Sequence, residues 1–272
     1  MMRWVLGIEY NGTAFFGWQF QGQHRTVQQV LEDALTRVAN QAIKVHCAGR
    51  TDTGVHALEQ VVHFDTEAER SERAWVKGTN THLPDDVRVL WVRPALDDFH
   101  ARFSAIARFY RYMIFDRPVR SALWVNQTCW SYLPLDEYKM HQAAQNMLGE
   151  HDFSSFRAQS CQSVSPCRNM FFIQVYREQE KVIIDLSANA FLHHMVRNIA
   201  GVLIEIGSGR KPVEWVEELL QIKDRRQAAM TASPSGLYLG GVYYPPEYGI
   251  QPHPVFQLLP ENASRFEPVR EG

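Results

Sequence analysis

One order of predicted elements occurs twice along the chain, and it constrains the fold more than any other feature of these 272 residues. Each copy consists of a strand, a helix and two further strands. The first copy has a strand at 3–9, a helix that starts at 26, and strands at 43–47 and 60–65. The second has a strand at 108–115, a helix that starts at 137, and strands at 170–177 and 182–187. Paired strands with helices between them favour an α+β fold, in which helices cover one face of a mainly antiparallel sheet. We therefore predict two related domains, residues 1–105 and 106–248, and an irregular tail over 249–272.

Local signals mark the ends of the predicted helices. Thr26 and Gln29 have the spacing of a capping box, which starts a helix. Asp136 is a typical N-cap residue and Gly149 a typical helix end, so we predict a helix between them. Three further elements complete the prediction: a helix after Asn189, a short helix from Pro212 and a strand over 236–244.

Composition excludes several classes of protein. With 45% hydrophobic residues and a net charge of −2, the chain is not intrinsically disordered, and any basic surface must be local. Glu9 comes too early for a secretory signal peptide, and prolines interrupt the longest uncharged stretch, 227–246, so we expect neither a leader nor a membrane span. Four cysteines without a Cys-x-x-Cys pair are expected to be reduced thiols in a cytoplasmic protein: Cys47, Cys129, Cys161 and Cys167.

The most informative segment is Gly-Arg-Thr-Asp-Thr-Gly-Val-His-Ala at 49–57, between two predicted strands. Gly49 and Gly54 bracket one carboxylate, Asp52, and Arg50 stands two residues before it. Glycines permit positive φ and a close approach of backbone to a ligand, and loops held by strands often carry functional residues. The segment alone is equally compatible with an Asp52 that closes a turn by bonding its own backbone.

Two other motifs overlap this segment. Its glycine spacing matches the start of a phosphate loop, but that motif then requires Lys and Ser or Thr, where this chain has Val55 and His56. Asp52-Thr53-Gly54 also matches the Asp-Thr-Gly of aspartic proteases, which need two carboxylates that share a proton. The chain has no second motif of this kind, so a protease would have to be a symmetric dimer.

Arginines and aromatic residues are interleaved in two segments, 99–120 and 153–177. The first carries five arginines against Asp116, a local charge of +4, and the second carries three arginines and no acid. Strand alternation over 108–113 places Arg108, Tyr110 and Tyr112 on one face, as a base-stacking strand requires. A solvated charged face over an aromatic core explains the same composition.

A third candidate is the start of the helix predicted after Asn189. His193, His194 and Arg197 occur there at i, i+1 and i+4, which puts His193 and Arg197 on one face. Adjacent histidines diverge on a helix and chelate one ion poorly, so we expect no metal site. Arg197 is instead a fixed cation that could pair with a loop carboxylate.

Together these segments resemble the tRNA pseudouridine synthases of the TruA type. The 49–57 segment resembles their catalytic motif, with Thr53 where the family usually has Ala. Further strings agree in order and spacing, namely Gly-Ile-Glu-Tyr-Asn-Gly at 7–12, Phe-Gly-Trp-Gln at 16–19, Asp-Phe-His-Ala-Arg-Phe-Ser-Ala at 98–105, Tyr-Arg-Tyr at 110–112, His-His-Met-Val-Arg-Asn at 193–198 and Gly-Leu-Tyr-Leu at 236–239. The resemblance covers residues 3–244 and leaves the tail unassigned.

The resemblance implies isomerisation of uridine to pseudouridine at positions 38, 39 and 40, in the anticodon stem-loop of tRNA. It implies two related domains around a central sheet, a homodimer, and no cofactor or metal. By motif match, Asp52 is the catalytic carboxylate, Tyr110 stacks on the target base, and Arg197 pairs with Asp52. We also expect RNA-binding roles for Arg50, Arg102 and Arg108.

The chemistry agrees with these roles, because a carboxylate can cleave or activate a glycosidic bond and an aromatic ring can offset the stacking lost by a flipped base. Two alternatives stay open at this point. One is a tRNA-binding or folding protein without catalysis, and the other is a dimeric aspartic protease.

Overall fold

In the computed structural model, which describes residues 1–251, the chain folds into two units. The first contains Met1–Ile106 and the described chain from Tyr238 onward, and the second contains Ala107–Leu237. The predicted domains, residues 1–105 and 106–248, differ from these units because the last strand of the chain belongs to the first unit. The predicted tail lies outside the described residues from 252 onward.

The strands, in chain order, are β1 (Met2–Tyr10), β2 (His46–Cys47), β3 (His56–Thr66), β4 (Val87–Pro94), β5 (Ala107–Asp116), β6 (Cys129–Ser131), β7 (Gly149–Asp152), β8 (Cys167–Glu178), β9 (Lys181–Ala188) and β10 (Leu237–Tyr243). The helices are α1 (Val27–Ala39), α2 (Glu72–His82), α3 (Glu137–Gln145), α4 (Met195–Gly207) and α5 (Trp215–Ile222).

The first unit is a sheet in the order β4-β1-β3-β10 with two helices. β1 pairs antiparallel with β3 and β4, β2 pairs antiparallel with the middle of β3, and β10 lies parallel to the start of β3, with Tyr238 opposite His56. α2 packs on the sheet through Trp75, whose ring lies 5.1 Å from Phe64 and 6.1 Å from Trp4. α1 contacts α2 and buries Leu31 and Leu35 completely.

The second unit is an antiparallel sheet in the order β5-β9-β8-β7, with β6 parallel to β5. α3 contacts β8 and α4, α4 contacts β5, and α5 contacts α3. Met140 lies on the apolar face of α3 and Ile199 on that of α4, and both are fully buried. Both units are thus α+β with mainly antiparallel strands, which confirms the predicted fold class.

Several element boundaries differ from the prediction. α2, β4 and the short β6 and β7 were not predicted. α3 ends at Gln145, and Gly149, with a φ of +88°, opens β7 instead of ending the helix. The helix predicted after Asn189 begins only at Met195. The predicted caps are confirmed at α1, where the Thr26 hydroxyl accepts the N–H of Gln29, and at α3, where Asp136 accepts two N–H groups.

Within residues 1–251, none of the helices combines the length and the apolar character needed to cross a membrane.

Candidate active site

The loop that carries Asp52 connects β2 and β3. Its first half is fixed to β3, because the N–H of Ala48 donates to the carbonyl of Val61 over 2.9 Å and the Gln60 amide bonds both main-chain groups of Gly49. The last two residues of the 49–57 motif already belong to β3. Asp52 therefore lies on a short loop whose two ends are both held by one buried strand.

Asp52 opens a tight turn. Its main-chain carbonyl accepts the N–H of Val55 over 3.1 Å, and Gly54 has a φ of +78°. A type II turn requires this positive φ at its third residue, which favours glycine there. Asp52 is half-buried, whereas the neighbouring Arg50 and Thr53 are exposed. The turn explains Gly54, and it leaves the Asp52 carboxylate partly accessible.

The segment after β1 packs against this loop through main-chain groups. The N–H of Trp18 donates to the carbonyl of Thr51 over 2.9 Å, and the N–H of Gly54 donates to the carbonyl of Phe15 over 3.3 Å. Gly17 has a φ of +78°, and a Cβ built on it would lie 2.7 Å from the Thr51 carbonyl oxygen. The glycine of the Phe-Gly-Trp-Gln string thus permits the close contact between two loops.

Two buried side-chain contacts complete the support of the loop. The hydroxyls of Tyr10 and Thr51 lie 2.8 Å apart, and both residues are buried. The N–H of Gly12 donates to Nδ1 of His56 over 3.0 Å, and the His56 ring stacks on Tyr238 at 4.7 Å. Sequence reasoning did not assign Tyr10, Thr51 or His56 a role, although each stands inside one of the strings that carry the resemblance.

In the second unit, Tyr110 lies on β5 opposite Leu186 of β9. Its ring packs edge-on against Phe191 at 4.9 Å, and 9% of the residue is exposed. Tyr112 is fully buried, and its hydroxyl donates to the carbonyl of Ser233 over 2.7 Å. The predicted base-stacking face of Arg108, Tyr110 and Tyr112 is therefore wrong for Tyr112, because this ring belongs to the core.

Arg197 lies in the first turn of α4 and is half-buried. Its Nε donates to the carbonyl of Ala232 over 2.9 Å, and the N–H of Ala232 donates back to the Arg197 carbonyl over 3.2 Å. His194 precedes the helix in a left-handed conformation, with a φ of +61°. His193 consequently lies outside the helix, and the predicted shared helical face of His193 and Arg197 is wrong.

Asn198, the next residue, is fully buried. Its amide donates to the carbonyl of Phe156 over 2.7 Å, and its oxygen accepts bonds from Arg225 and Thr231 over 3.0 and 2.7 Å. A polar residue on the apolar side of a predicted helix was the available signal for this role. Asn198 and Arg197 together tie the chain before β10 to the start of α4.

The arginines of the predicted basic segments differ in their surroundings. Arg111 binds Asp185 with two hydrogen bonds of 2.8 and 2.7 Å, and Arg117 lies 3.6 Å from Glu180. Acids from outside the segment thus offset part of the charge counted along the sequence. Arg108 donates to the carbonyl of Asn189 over 2.9 Å. Arg102 is exposed, as is Arg50 on the Asp52 loop.

Comparison with known proteins decides the family. A family model described as tRNA pseudouridine synthase matches residues 7–104 and 143–245. The chain belongs to this family. A curated relative from Methylococcus capsulatus, named tRNA pseudouridine synthase A, is 57% identical over 271 residues and covers 100% of both chains. Relatives of the same name from Hydrogenovibrio crunogenus and Haemophilus influenzae are 56% and 51% identical and cover 90% and 99% of this chain, and 93% and 100% of their own.

The match includes the segments that build the site in each unit. It contains the Asp52 loop and its supporting segment in the first unit, and α4 with Arg197 in the second. The family inferred from the sequence motifs is thus confirmed, and the enzyme class it implies is that of an isomerase. The family does not favour the alternatives of a non-catalytic tRNA-binding protein or an aspartic protease.

Proposed function

We propose that the protein isomerises uridine to pseudouridine at positions 38, 39 and 40 of the anticodon stem-loop of tRNA. The observation that carries the proposal is the match of the family model to both units, together with a half-buried Asp52 on a loop fixed at both ends. The reaction breaks the C–N glycosidic bond, turns the uracil and forms a C–C bond, so substrate and product have the same atoms. It requires an ionised carboxylate beside the sugar and the base.

Asp52 is the proposed catalytic residue. Its carboxylate can attack the sugar, attack the base or remove a sugar proton, and each route begins from the charged form. Main-chain bonds to Trp18 and Phe15 fix the turn that carries it. Such support favours catalysis because a prepositioned group does not have to be ordered when the substrate binds.

Tyr110 and Arg197 are proposed to act with Asp52. The exposed part of the Tyr110 ring would contact the target uracil, and its hydroxyl would move the proton released from carbon 5. Arg197 would be the cation that pairs with Asp52, and its bond to the Ala232 carbonyl limits its motion. Arg50, Arg102 and Arg108 are proposed to bind RNA phosphates, as cations in RNA interfaces do.

The remaining proposals concern the assembly and its location. We infer from the family resemblance that the protein is a cytoplasmic homodimer that acts without a cofactor or metal. Sedimentation of the full chain tests the dimer. Turnover in the presence of EDTA tests whether the protein acts without a metal, and a loss of turnover that zinc reverses would contradict this inference.

The decisive experiment incubates the protein with an unmodified tRNA transcript and maps pseudouridine by position. We expect product at 38, 39 and 40 with the wild type and none with Asp52→Asn, which keeps the shape of the side chain but removes its charge. The matched control is Asp33→Asn, which changes an exposed acid on α1. Substantial turnover by Asp52→Asn would remove Asp52 from the mechanism.

Substitutions of Tyr110 separate its two proposed roles. Tyr110→Leu should weaken binding of the target nucleotide by about 1–3 kcal/mol if the ring stacks on a base. Tyr110→Phe should bind normally and lose roughly 10²–10⁴ in rate if the hydroxyl transfers a proton. Tyr138→Phe, on the exposed side of α3, is the control. A Tyr110→Leu protein that melts at a lower temperature but turns over normally would show a core role instead.

A further inference from the structure

A cluster of three histidines and a phenylalanine lies in the first unit, outside the residues assigned so far. His46 stacks on His63 at 5.0 Å, His63 lies 4.6 Å from His100, and His100 lies 4.4 Å from Phe103. His63 is buried, His46 is exposed, and 51% of Phe103 is exposed. We call these four residues the histidine cluster. Its rings lead from the core to the surface.

The sheet and one tight turn build the histidine cluster. β2 pairs with β3 so that His46 stands opposite His63. The N–H of Ala101 donates to Nδ1 of His63 over 3.1 Å, and this bond holds the following turn against the strand. Nδ1 of His100 accepts the N–H groups of Arg102 and Phe103 over 3.1 and 3.3 Å. The His100 side chain therefore holds the backbone that carries the exposed ring of Phe103.

These bonds also fix the proton of His100. Because Nδ1 accepts two N–H groups, the proton of the neutral imidazole must lie on Nε2. Nε2 is then a hydrogen-bond donor, suited to a phosphate or carbonyl oxygen. Burial and the neighbouring cations lower the pKa of His100, which favours this neutral form at pH 7.

Two arginines lie beside the histidine cluster. The Arg102 guanidinium lies 5.4 Å from the centre of the Phe103 ring. Arg50 and Arg102 both act electrostatically on Cys47, the neighbour of His46, yet desolvation raises the pKa of its thiol to about 12. Cys47 therefore carries no negative charge at neutral pH. Segments 43–51 and 99–106 contain no Asp or Glu, and the two acids just before the second segment, Asp97 and Asp98, act electrostatically on Arg3.

Two nearby acids are paired with cations. Asp65, on β3, accepts two hydrogen bonds of 2.8 and 2.7 Å from Arg3, although its charge also acts on His63 and His46. Glu32 bonds Lys44 over 2.8 Å. The surface thus combines exposed rings, a fixed N–H donor and two arginines. This is the chemistry that binds a phosphate and stacks on an unpaired base.

This surface includes a residue close to Asp52 along the chain. Arg50 is two residues before Asp52, so the extended backbone between them spans at most about 7 Å. A nucleotide held here would be close to one whose sugar contacts Asp52. We propose that His46, His100, Arg102 and Phe103, with Arg50, bind a phosphate and an unstacked base of the substrate tRNA beside the target nucleotide. This inference rests on the proposed function.

Binding measurements with the full chain and an unmodified tRNA transcript test the proposal. We expect Phe103→Leu to raise the Kd by roughly tenfold, the lower part of the range for loss of base–aromatic stacking. Phe103→Trp keeps an aromatic face and should stay near the wild type. Arg102→Gln should reduce the salt dependence of log Kd by about one unit of slope, whereas Arg102→Lys should retain it.

Exposed residues of the same unit provide matched controls. His46→Ala is compared with His82→Ala at the end of α2, and Arg102→Gln with Arg37→Gln in the last turn of α1. We expect the histidine-cluster variants to raise both KM and Kd, with the loss appearing there rather than in kcat. The controls should leave the Kd of tRNA unchanged.

Three results would overturn the proposal. The first is an unchanged Kd and KM in Phe103→Leu and Arg102→Gln, which would leave the surface to another partner. The second is a lower melting temperature with normal Kd, which would make the histidine cluster a packing element. The third is a change in kcat alone. If the wild type binds tRNA but forms no pseudouridine, the proposed function fails while the Kd comparison still decides the role of this surface.

Discussion

The buried hydroxyl pair of Tyr10 and Thr51 should couple the stability of the first unit to catalysis. Tyr10 is 3% exposed and Thr51 is 7% exposed, and their oxygens lie 2.8 Å apart. Tyr10→Phe removes one of the two hydroxyls and with it the partner of the buried Thr51 hydroxyl. We expect this loss to lower the free energy of unfolding by about 1–3 kcal/mol. Thr51→Val removes the other partner of this hydrogen bond and keeps the side-chain volume.

A double-mutant cycle measures the coupling between the two hydroxyls. Removing both groups leaves neither polar partner behind, so the double variant should be less destabilised than the sum of the single variants by about 1 kcal/mol. The free energy of unfolding in urea provides this comparison. Because Thr51 precedes Asp52, we also expect slower pseudouridine formation under single-turnover conditions.

Tyr176→Phe is the matched control for this cycle. Its hydroxyl donates to Asp185 over 3.0 Å in the second unit, so the variant should lose stability without a comparable loss of rate. Thr51→Ser keeps the hydroxyl and should recover most of the rate. Strict additivity of the two substitutions, or normal single-turnover rates in Thr51→Val, would refute the reasoning.

Three further predictions concern a close contact, an ion pair and a buried histidine. Gly17→Ala should lower both the melting temperature and turnover, because the added Cβ would lie 2.7 Å from a carbonyl oxygen. Gly22→Ala is the control and should retain turnover, because Gly22 also has a positive φ but has open space around it. Asp185→Asn should lower the free energy of unfolding in urea by about 3–5 kcal/mol, since Asp185 is 1% exposed and its charge pairs with that of Arg111. A loss below about 1 kcal/mol would contradict a buried ion pair. Burial lowers the pKa of His63 to about 3. Between pH 6.5 and pH 3 the unfolded chain therefore binds a proton at His63 that the folded chain does not. The free energy of unfolding should fall over this range by up to about 1.4 kcal/mol per pH unit as the pH is lowered. Unfolding at pH 7, 6 and 5 should show a smaller decline in His63→Gln, and equal declines would count against this pKa.

The predictions that succeeded rest on short-range chemistry. The caps at Thr26 and Asp136 are confirmed because each side chain bonds an N–H two or three residues away. The Asp52 motif is likewise contiguous, so its place between two strands could be predicted. Its support could not, because the contacts with Trp18 and Tyr10 join residues distant in sequence.

The predictions that failed involve longer-range packing. α2 buries only Trp75 and Thr79, too few residues to give a clear helical period. The side chain of Asn189, predicted to start a helix, instead accepts the N–H groups of Asn169 and Ala190. The burial of Tyr112 depends on a carbonyl more than a hundred residues later, and strand alternation carries no information about such a contact.

The main-chain support of the Asp52 loop has a consequence for sequence change. Every residue has a main-chain carbonyl, and every residue except proline has an N–H, so the bond that Trp18 donates and the bond that Phe15 accepts do not depend on side-chain chemistry. Exposed neighbours such as Thr13 and Gln19 can therefore vary without displacing the loop. Side chains on this surface can diversify, by evolution or by design, while the carboxylate keeps its position.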